Sequence, residues 1–162
     1  AVVGEPRAPA VGSYVAPWTP SAKMYCSDCH GSSRPDDPEG PHASALPFLL
    51  RAAYDRSTGG NAGNGGGAGD SSGDLCFRCH DFASYTDAAF APVAQRTAFA
   101  APTKNLHAFH AGKRSPVSGS AVVCMDCHTA VPHGSKQKHL IALTTDPAPY
   151  NSGAAMISSP PE

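Results

Sequence analysis

All six cysteines of this 162-residue chain lie in three copies of one five-residue pattern. The copies read CSDCH at residues 26–30, CFRCH at residues 76–80 and CMDCH at residues 124–128. Histidine makes up 8 of the 162 residues, so a histidine directly behind all three cysteine pairs would arise by chance about once in 10,000 sequences. The histidine therefore belongs to the pattern, and any fold must accommodate the same unit three times.

The spacing of this unit is typical of covalent haem attachment. On one helical turn, residues i and i+3 face the same side, so two sulfurs can form thioethers with the two vinyl groups at one porphyrin edge, and the next histidine lies under the iron. A zinc site takes four ligands and needs no histidine beside the second cysteine, and three pairs would leave one pair over. A redox disulfide of the thioredoxin type needs a strand–helix setting that these Gly- and Pro-flanked segments lack.

The pattern therefore predicts three c-type haems with their iron. The predicted thioether cysteines are Cys26, Cys29, Cys76, Cys79, Cys124 and Cys127, and the predicted proximal iron ligands are His30, His80 and His128. Five histidines remain for three distal positions, whereas the methionines lie against attachment turns or in the C-terminal tail, so bis-histidine ligation is the economical interpretation. We predict three or more distal ligands among His42, His107, His110 and His133, with His139 as a reserve.

The local sequence gives a different reason to consider each of these histidines as a distal ligand. His42 lies in GPHAS, where Gly and Pro fix its direction, while His107 and His110 are three apart on a predicted helix and can serve two neighbouring irons. His133 follows His128 by five residues, a short reach that predicts binding to a neighbouring haem rather than to its own. His139 follows two lysines and has a solvated side chain as its alternative.

Composition bears on the fold class. The chain has 16 Gly, 16 Pro and 15% charged residues, and its large apolar side chains are too sparse for an ordinary close-packed core. Three porphyrins would supply the missing apolar mass. We therefore expect mostly irregular coil with a few short α-helices wrapped around three covalently attached haems, and little or no β-sheet.

The chain divides into three parts on composition. Residues 1–22 are a Pro/Ala-rich arm, residues 23–143 are the predicted trihaem domain, and residues 144–162 are a Pro/Ser/Ala-rich tail. Inside the domain, residues 57–74 read as a flexible Gly-rich loop. Short helices are predicted at residues 46–54 and in the NLHAFH segment.

Charge, hydropathy and the first residues bear on the possible partners of the protein and on its location. The formal charge of −1 without a basic cluster argues against a nucleic-acid partner, and no apolar run reaches the length of about 18 residues that spans a bilayer. If the protein is exported, its signal peptide has already been removed, and Ala1 at the start argues against an N-terminal lipid anchor.

The order CSDCHG…GPHAS…LLR, LCFRCHD, NLHAFH and CMDCHTAVPHGS…HLI resembles the bacterial multihaem c-type cytochromes with doubled CxxCH motifs, over residues 25–143. The resemblance implies attachment outside the cytoplasm, closely packed low-potential bis-His haems, and electron transfer in the periplasm or at the cell surface. Some relatives form extracellular haem filaments. The chain departs from the tetrahaem members by one missing motif, so the assignment of a distal histidine to an iron does not transfer.

Two function classes follow from these residues. We expect an electron carrier or conduit and no enzyme, with other redox proteins or extracellular electron acceptors as partners, in the extracellular space or at the cell surface, otherwise in the periplasm. A haem reductase needs an open iron position, which the surplus of histidines disfavours. A second expectation is self-assembly into a filament, with His42, or His139 after it, crossing to a neighbouring copy's haem; the alternative is a soluble trihaem shuttle. Short linkers predict that the second and third haems lie side by side.

Overall fold

The structure is a computed structural model that describes residues 11–34, 36, 42, 44–54, 73–86, 97–101, 103–111, 113, 122–133, 137–151 and 157–158. Regular elements in these residues are short. The helices are α1 (Cys26–Cys29), α2 (Phe82–Thr86) and α3 (Leu106–Ala111), and the strands are β1 (Ala100–Ala101) and β2 (Lys104–Asn105), an antiparallel pair. The 3₁₀ turns are Val11–Ser13, Pro47–Leu49, Leu75–Arg78, Cys124–Asp126 and Lys138–Leu140. The prediction of a coil-rich chain with few short helices and little strand is confirmed.

Two predicted helices have different outcomes. The NLHAFH segment does form a helix, α3, whose bounds are Leu106–Ala111. The helix predicted at residues 46–54 is wrong: only the turn Pro47–Leu49 forms there, because Phe48 and Leu49 have φ values of 58° and 55°, in the left-handed region. The predicted Gly-rich loop lies outside the described residues apart from Gly73 and Asp74.

The three attachment turns share one tertiary contact. Each turn forms an antiparallel bridge with a short segment that we call its strap: residues 49–51 for the first turn, 13–15 for the second and 140–142 for the third. In every case the residue after the histidine donates its N–H to the carbonyl of the first strap residue. The third strap residue donates its N–H to the carbonyl of the second cysteine of the turn. The N···O distances are 2.8 and 2.9 Å, 2.9 and 2.9 Å, and 2.7 and 2.9 Å for the three turns in order.

The first and third straps repeat a second feature. Both begin in a turn with two non-glycine residues at positive φ, Phe48 and Leu49 in one and His139 and Leu140 in the other, with φ between 55° and 58°. The chain therefore contains two copies of a unit made of an attachment turn, a left-handed turn and a strap. The second turn differs, because its strap precedes it and follows the 3₁₀ turn Val11–Ser13.

Parts of both chain ends contact the haem-attachment region. The second strap lies within the predicted N-terminal arm, and near the other end Ala130 donates its N–H to the carbonyl of Tyr150 at 2.9 Å. Leu143 and Ile157 form a parallel bridge. The described residues of the arm and tail are thus hydrogen-bonded to the second and third turns of their own chain.

Small residues dominate the apolar interior. The buried hydrophobic side chains among the described residues are Leu50, Ala52, Phe77, Ala108, Val122, Val123, Met125, Ala142 and Leu143. Large side chains such as Phe48, which is 83% exposed, remain on the surface. No helix in the described part of the chain is long and apolar enough to cross a membrane.

Candidate haem-binding site

Each CxxCH pattern forms one tight helical turn. The histidine N–H donates to the carbonyl of the first cysteine, four residues back, at 2.8 Å in the first turn, 3.0 Å in the second and 2.8 Å in the third. This i to i+4 bond holds the two cysteines of a turn three residues apart on one helical face. Each turn therefore presents its two sulfurs on one side, as thioether attachment requires.

An aspartate stabilises two of these turns. The carboxylate of Asp28 accepts the N–H of Tyr25 at 2.6 Å, and that of Asp126 accepts the N–H of Val123 at 3.0 Å. Each aspartate is the third residue of a CxDC sequence, so it reaches back to the residue that precedes its turn. In the second turn Arg78 occupies this position.

The three proximal imidazoles are held through Nδ1. His30 bonds the carbonyl of Phe48 at 2.8 Å, and His128 bonds the carbonyl of His139 at 2.8 Å. His80 instead meets the hydroxyl of Tyr85 at 3.0 Å. A metal-binding histidine commonly donates its second ring N–H to such an acceptor, which fixes the tautomer with a lone pair on Nε2. Nε2 of each ring is therefore the nitrogen left for iron.

Two further histidines lie opposite proximal ones. The ring centroids of His133 and His30 are 5.7 Å apart with 35° between the planes, and those of His107 and His128 are 6.4 Å apart with 12° between the planes. Metal–imidazole bonds are about 2.0–2.1 Å long and the centroid lies about 1.1 Å behind the nitrogen, so two imidazoles on opposite sides of one metal ion have centroids about 6.3 Å apart. The separation of His107 and His128 matches this value, and that of His133 and His30 is about 0.6 Å shorter.

Nitrogen Nδ1 is also occupied in the candidate distal ligands of α3. His107 meets the hydroxyl of Thr97 at 2.8 Å, and His110 meets the carbonyl of Leu106 at 2.7 Å. Burial, and after it the charges of neighbouring histidines, above all His128, lower the pKa of His107 to about 3. A neutral imidazole is the form that binds a metal ion, so the fold keeps His107 in the ligating state.

The second turn has a different surrounding. The His80 ring lies 5.2 Å from the ring of Tyr14 and 5.1 Å from that of Tyr85. Burial, and then the neighbouring His128, lower the pKa of His80 to about 4. No second histidine ring contacts His80 among the described residues, and α3, which carries His110, packs against α2 directly behind the turn.

Two predicted distal ligands stand apart from these clusters. His42 is exposed. His139 is also exposed, and its contact with the third turn is through its main-chain carbonyl rather than its side chain. In the described part of the chain, neither ring makes a ring contact with a proximal histidine.

The thiols of different turns come close to one another. Cys76 and Cys124 form a side-chain hydrogen bond, and Cys29 lies within electrostatic range of Cys76. Burial raises the pKa of Cys79 to about 11 and also raises the pKa of Cys29 and Cys127.

Comparison with known proteins agrees with this donor set. Residues 19–84 match the family described as "Doubled CXXCH motif", and the match contains the first two turns. This match covers less than half of the chain and supports a multihaem c-type cytochrome family for the matched segment. The third turn lies beyond the matched residues and has the same bridge, and the same Nδ1 hydrogen bond to a main-chain carbonyl, as the first. No curated protein and no solved structure matches the chain.

Sequence reasoning missed the residues that support the three CxxCH turns. The CxDC sequence shared by the first and third turns was a signal for the hydrogen bonds that Asp28 and Asp126 accept from the residues preceding their turns. The sequence LLR after the first turn and LIA after the third were a weak signal for the two repeated straps. Nothing in the sequence marked the second strap, since it lies more than 60 residues before its turn.

Proposed function

We propose that the protein is a trihaem electron-transfer cytochrome with one covalent c-type haem on each attachment turn. The observation that carries this proposal is that three turns, far apart in sequence, share one bridge to a strap and one mode of holding the histidine through Nδ1. When bound, haem iron supplies reversible one-electron chemistry. The chain's own contribution is to attach the haem, to orient it and to supply the ligands of its iron.

Bis-histidine ligation is the second part of the proposal. His133 serves as distal ligand opposite His30, and His107 serves opposite His128, supported by centroid separations of 5.7 and 6.4 Å. A distal ligand from a segment of the neighbouring turn ties two units together, since His133 follows the third turn and serves the first. Imidazole on both sides of the iron favours a low potential and leaves no open position for a substrate.

His110 is the proposed distal ligand for the second turn. It lies on α3 with His107, and both rings contact the ring of Phe99, at 5.3 and 5.4 Å between centroids. The packing of α3 on α2 brings this helix next to the residues that follow His80. Adjacent histidines on one helix would then serve the second and third irons, which supports two haems lying side by side.

This assignment leaves His42 and His139 without a haem in their own copy. We propose an electron conduit, at the cell surface or in the periplasm, in which the exposed His42 crosses to a neighbouring copy and His139 is the second choice. Redox proteins or extracellular acceptors are the proposed partners. A soluble trihaem shuttle is the alternative. A haem reductase is disfavoured because imidazoles are available for all three irons.

Intact-mass and visible spectroscopy together test the trihaem proposal. Three covalent haems add about 1.8 kDa to the polypeptide, and six-coordinate irons give a fully low-spin oxidised spectrum. The control is the variant Cys124→Ala/Cys127→Ala, which is expected to lose one haem equivalent of mass. A wild-type increment of two haems, or a high-spin band with rapid cyanide or carbon monoxide binding, would overturn the trihaem count or the electron-transfer function respectively.

A further inference from the structure

The three proximal histidines are supported by chemically different acceptors. His30 and His128 meet main-chain carbonyls, those of Phe48 and His139, and these carbonyls come from equivalent positions of the two repeated units. His80 has no such carbonyl, because its strap comes from the N-terminal segment and lacks the left-handed turn. Its Nδ1 meets the Tyr85 hydroxyl at 3.0 Å instead.

Tyr85 also contacts a histidine of another unit. Its ring meets His80 edge-on, with centroids 5.1 Å apart and 74° between planes, and meets His107 edge-on at 4.8 Å and 64°. The side chain is held there because α2 follows the second turn at once and packs on α3. One tyrosine thus lies between a proximal histidine of the second site and the proposed distal histidine of the third.

We propose that Tyr85 is a positioning residue shared by the second and third haem sites: its hydroxyl accepts the Nδ1–H of His80, and its ring holds His107 in place. This inference rests on the proposed trihaem function and adds a residue that the CxxCH pattern does not contain. At the second site the partner of the proximal Nδ1 is a side chain, so a single substitution can remove that partner.

The hydroxyl has a predictable effect on the iron it supports. An acceptor on Nδ1–H raises the basicity of Nε2, and a more basic ligand stabilises ferric over ferrous iron. Because a neutral phenol oxygen is a weaker acceptor than an amide carbonyl, this contact stabilises the ferric state at the second site less than the carbonyl contacts do at the first and third. Removing the hydroxyl should raise the potential of the second site further.

The first test is Tyr85→Phe in the intact holoprotein, with Tyr14→Phe as the matched control. Tyr14 also packs its ring against His80, at 5.2 Å, but its hydroxyl is not the partner of Nδ1. Potentiometric titration followed in the visible spectrum should show one of three potentials shifted upward in Tyr85→Phe and none shifted in Tyr14→Phe. Three unchanged potentials in Tyr85→Phe, or the same shift in both variants, would overturn the proposal.

A second variant distinguishes the effect of the Tyr85 hydroxyl from that of the Tyr85 ring. Tyr85→Leu removes both, so its low-spin electron paramagnetic resonance spectrum should change at two sites, whereas Tyr85→Phe should change it at one. Equal one-site changes in both variants would overturn the role assigned to the ring. Intact mass and spin state report on the trihaem function separately: if Tyr85→Phe keeps three low-spin haems with unaltered potentials, only the role of Tyr85 fails.

Discussion

His133 and His139 are six residues apart and both side chains are exposed, yet the two residues contact the attachment turns through different atoms. His133 presents its ring to His30, whereas His139 presents its main-chain carbonyl to His128. At the scale of single residues, His133 therefore brings its ring to a proximal imidazole, whereas His139 brings only its backbone. The sequence predicted both as possible ligands because residue type does not distinguish these two contacts.

Replacing His133 by Ala is expected to convert one of three irons to high spin while all three haems stay covalently attached. The reason is that the thioethers and His30 are untouched, and only the imidazole opposite His30 is lost. Visible spectroscopy gives the spin state and intact mass gives the haem count. His139→Ala is the control, since it keeps the main-chain carbonyl and should remain fully low-spin. A fully low-spin His133→Ala protein would mean that His133 is spare.

At the scale of elements, the repeated left-handed turns carry the most local strain. A non-glycine residue with left-handed backbone angles costs about 1–2 kcal/mol, and each repeated unit has two of them in succession. The strain is compensated because the turn delivers a carbonyl to the proximal histidine and starts the strap. Strained backbone at such a position is common at functional sites.

Leu140 offers a direct measurement of this strain. Its φ is 57° and its side chain is 37% exposed, so Leu140→Gly should be more stable than Leu140→Ala by about 1 kcal/mol, because glycine adopts positive φ freely. Equilibrium unfolding of the holoprotein in guanidinium gives the two free energies. At Leu143, which is buried and lacks positive φ, the order should reverse, with the glycine variant less stable than the alanine variant. The same order at both positions would argue against strain at Leu140.

The sequence predicted the elements that rest on local chemistry and missed those that rest on distant pairing. The helix containing His107 and His110 follows from local apolar spacing, and the attachment turns follow from the CxxCH spelling. The region around Phe48 has helix-forming residues, but its bridge to the first turn overrides that propensity. The strap at residues 13–15 depends on the tertiary arrangement, so no local pattern indicates it. Tyr85 lies only five residues after His80, but the CxxCH pattern does not indicate the contact between them.

At the scale of the whole molecule, charge and spare ligands bear on association. Three haems would bring six propionates to a chain of formal charge −1, so the reduced holoprotein carries about −7 and the oxidised one about −4. Lys104 precedes α3 and Lys113 follows it, and the two flank the exposed ring of Phe109, at 5.2 and 4.7 Å from its centroid, where they form a small basic area. The net field of the molecule remains negative.

Electron transfer to a basic soluble redox protein should slow as salt is added. Opposite charges speed the encounter at low ionic strength, and screening lengths shrink from about 30 Å at 0.01 M to about 3 Å at 1 M. Stopped-flow rates over this range give the dependence, and an acidic redox protein, for which rates should rise with salt, is the control. Rates that do not depend on ionic strength for either protein would contradict this picture.

Filament formation should depend on His42 if that residue crosses between copies. A heterologous contact whose rotation does not close generates an open helical assembly, so electron micrographs should contain filaments that shorten on dilution. His42→Ala should abolish them, while His133, His107 and His110 keep the three irons of each copy low-spin. His139→Ala tests the second choice in the same way. A monodisperse monomer with three low-spin haems at high concentration would leave the soluble shuttle as the function.

The position of the second strap also imposes an order on biosynthesis. A chain that emerges from its amino end exposes residues 13–15 long before residues 76–81, so the partner of the second turn is waiting when that turn appears. The first and third turns emerge before their straps, residues 49–51 and 140–142, and stay open for a time. When a strap pairs with its turn, the backbone on both sides of the histidine becomes hydrogen-bonded. The enzymes that attach haem therefore have the shortest time at Cys76 and Cys79, and incomplete maturation should leave this turn empty first.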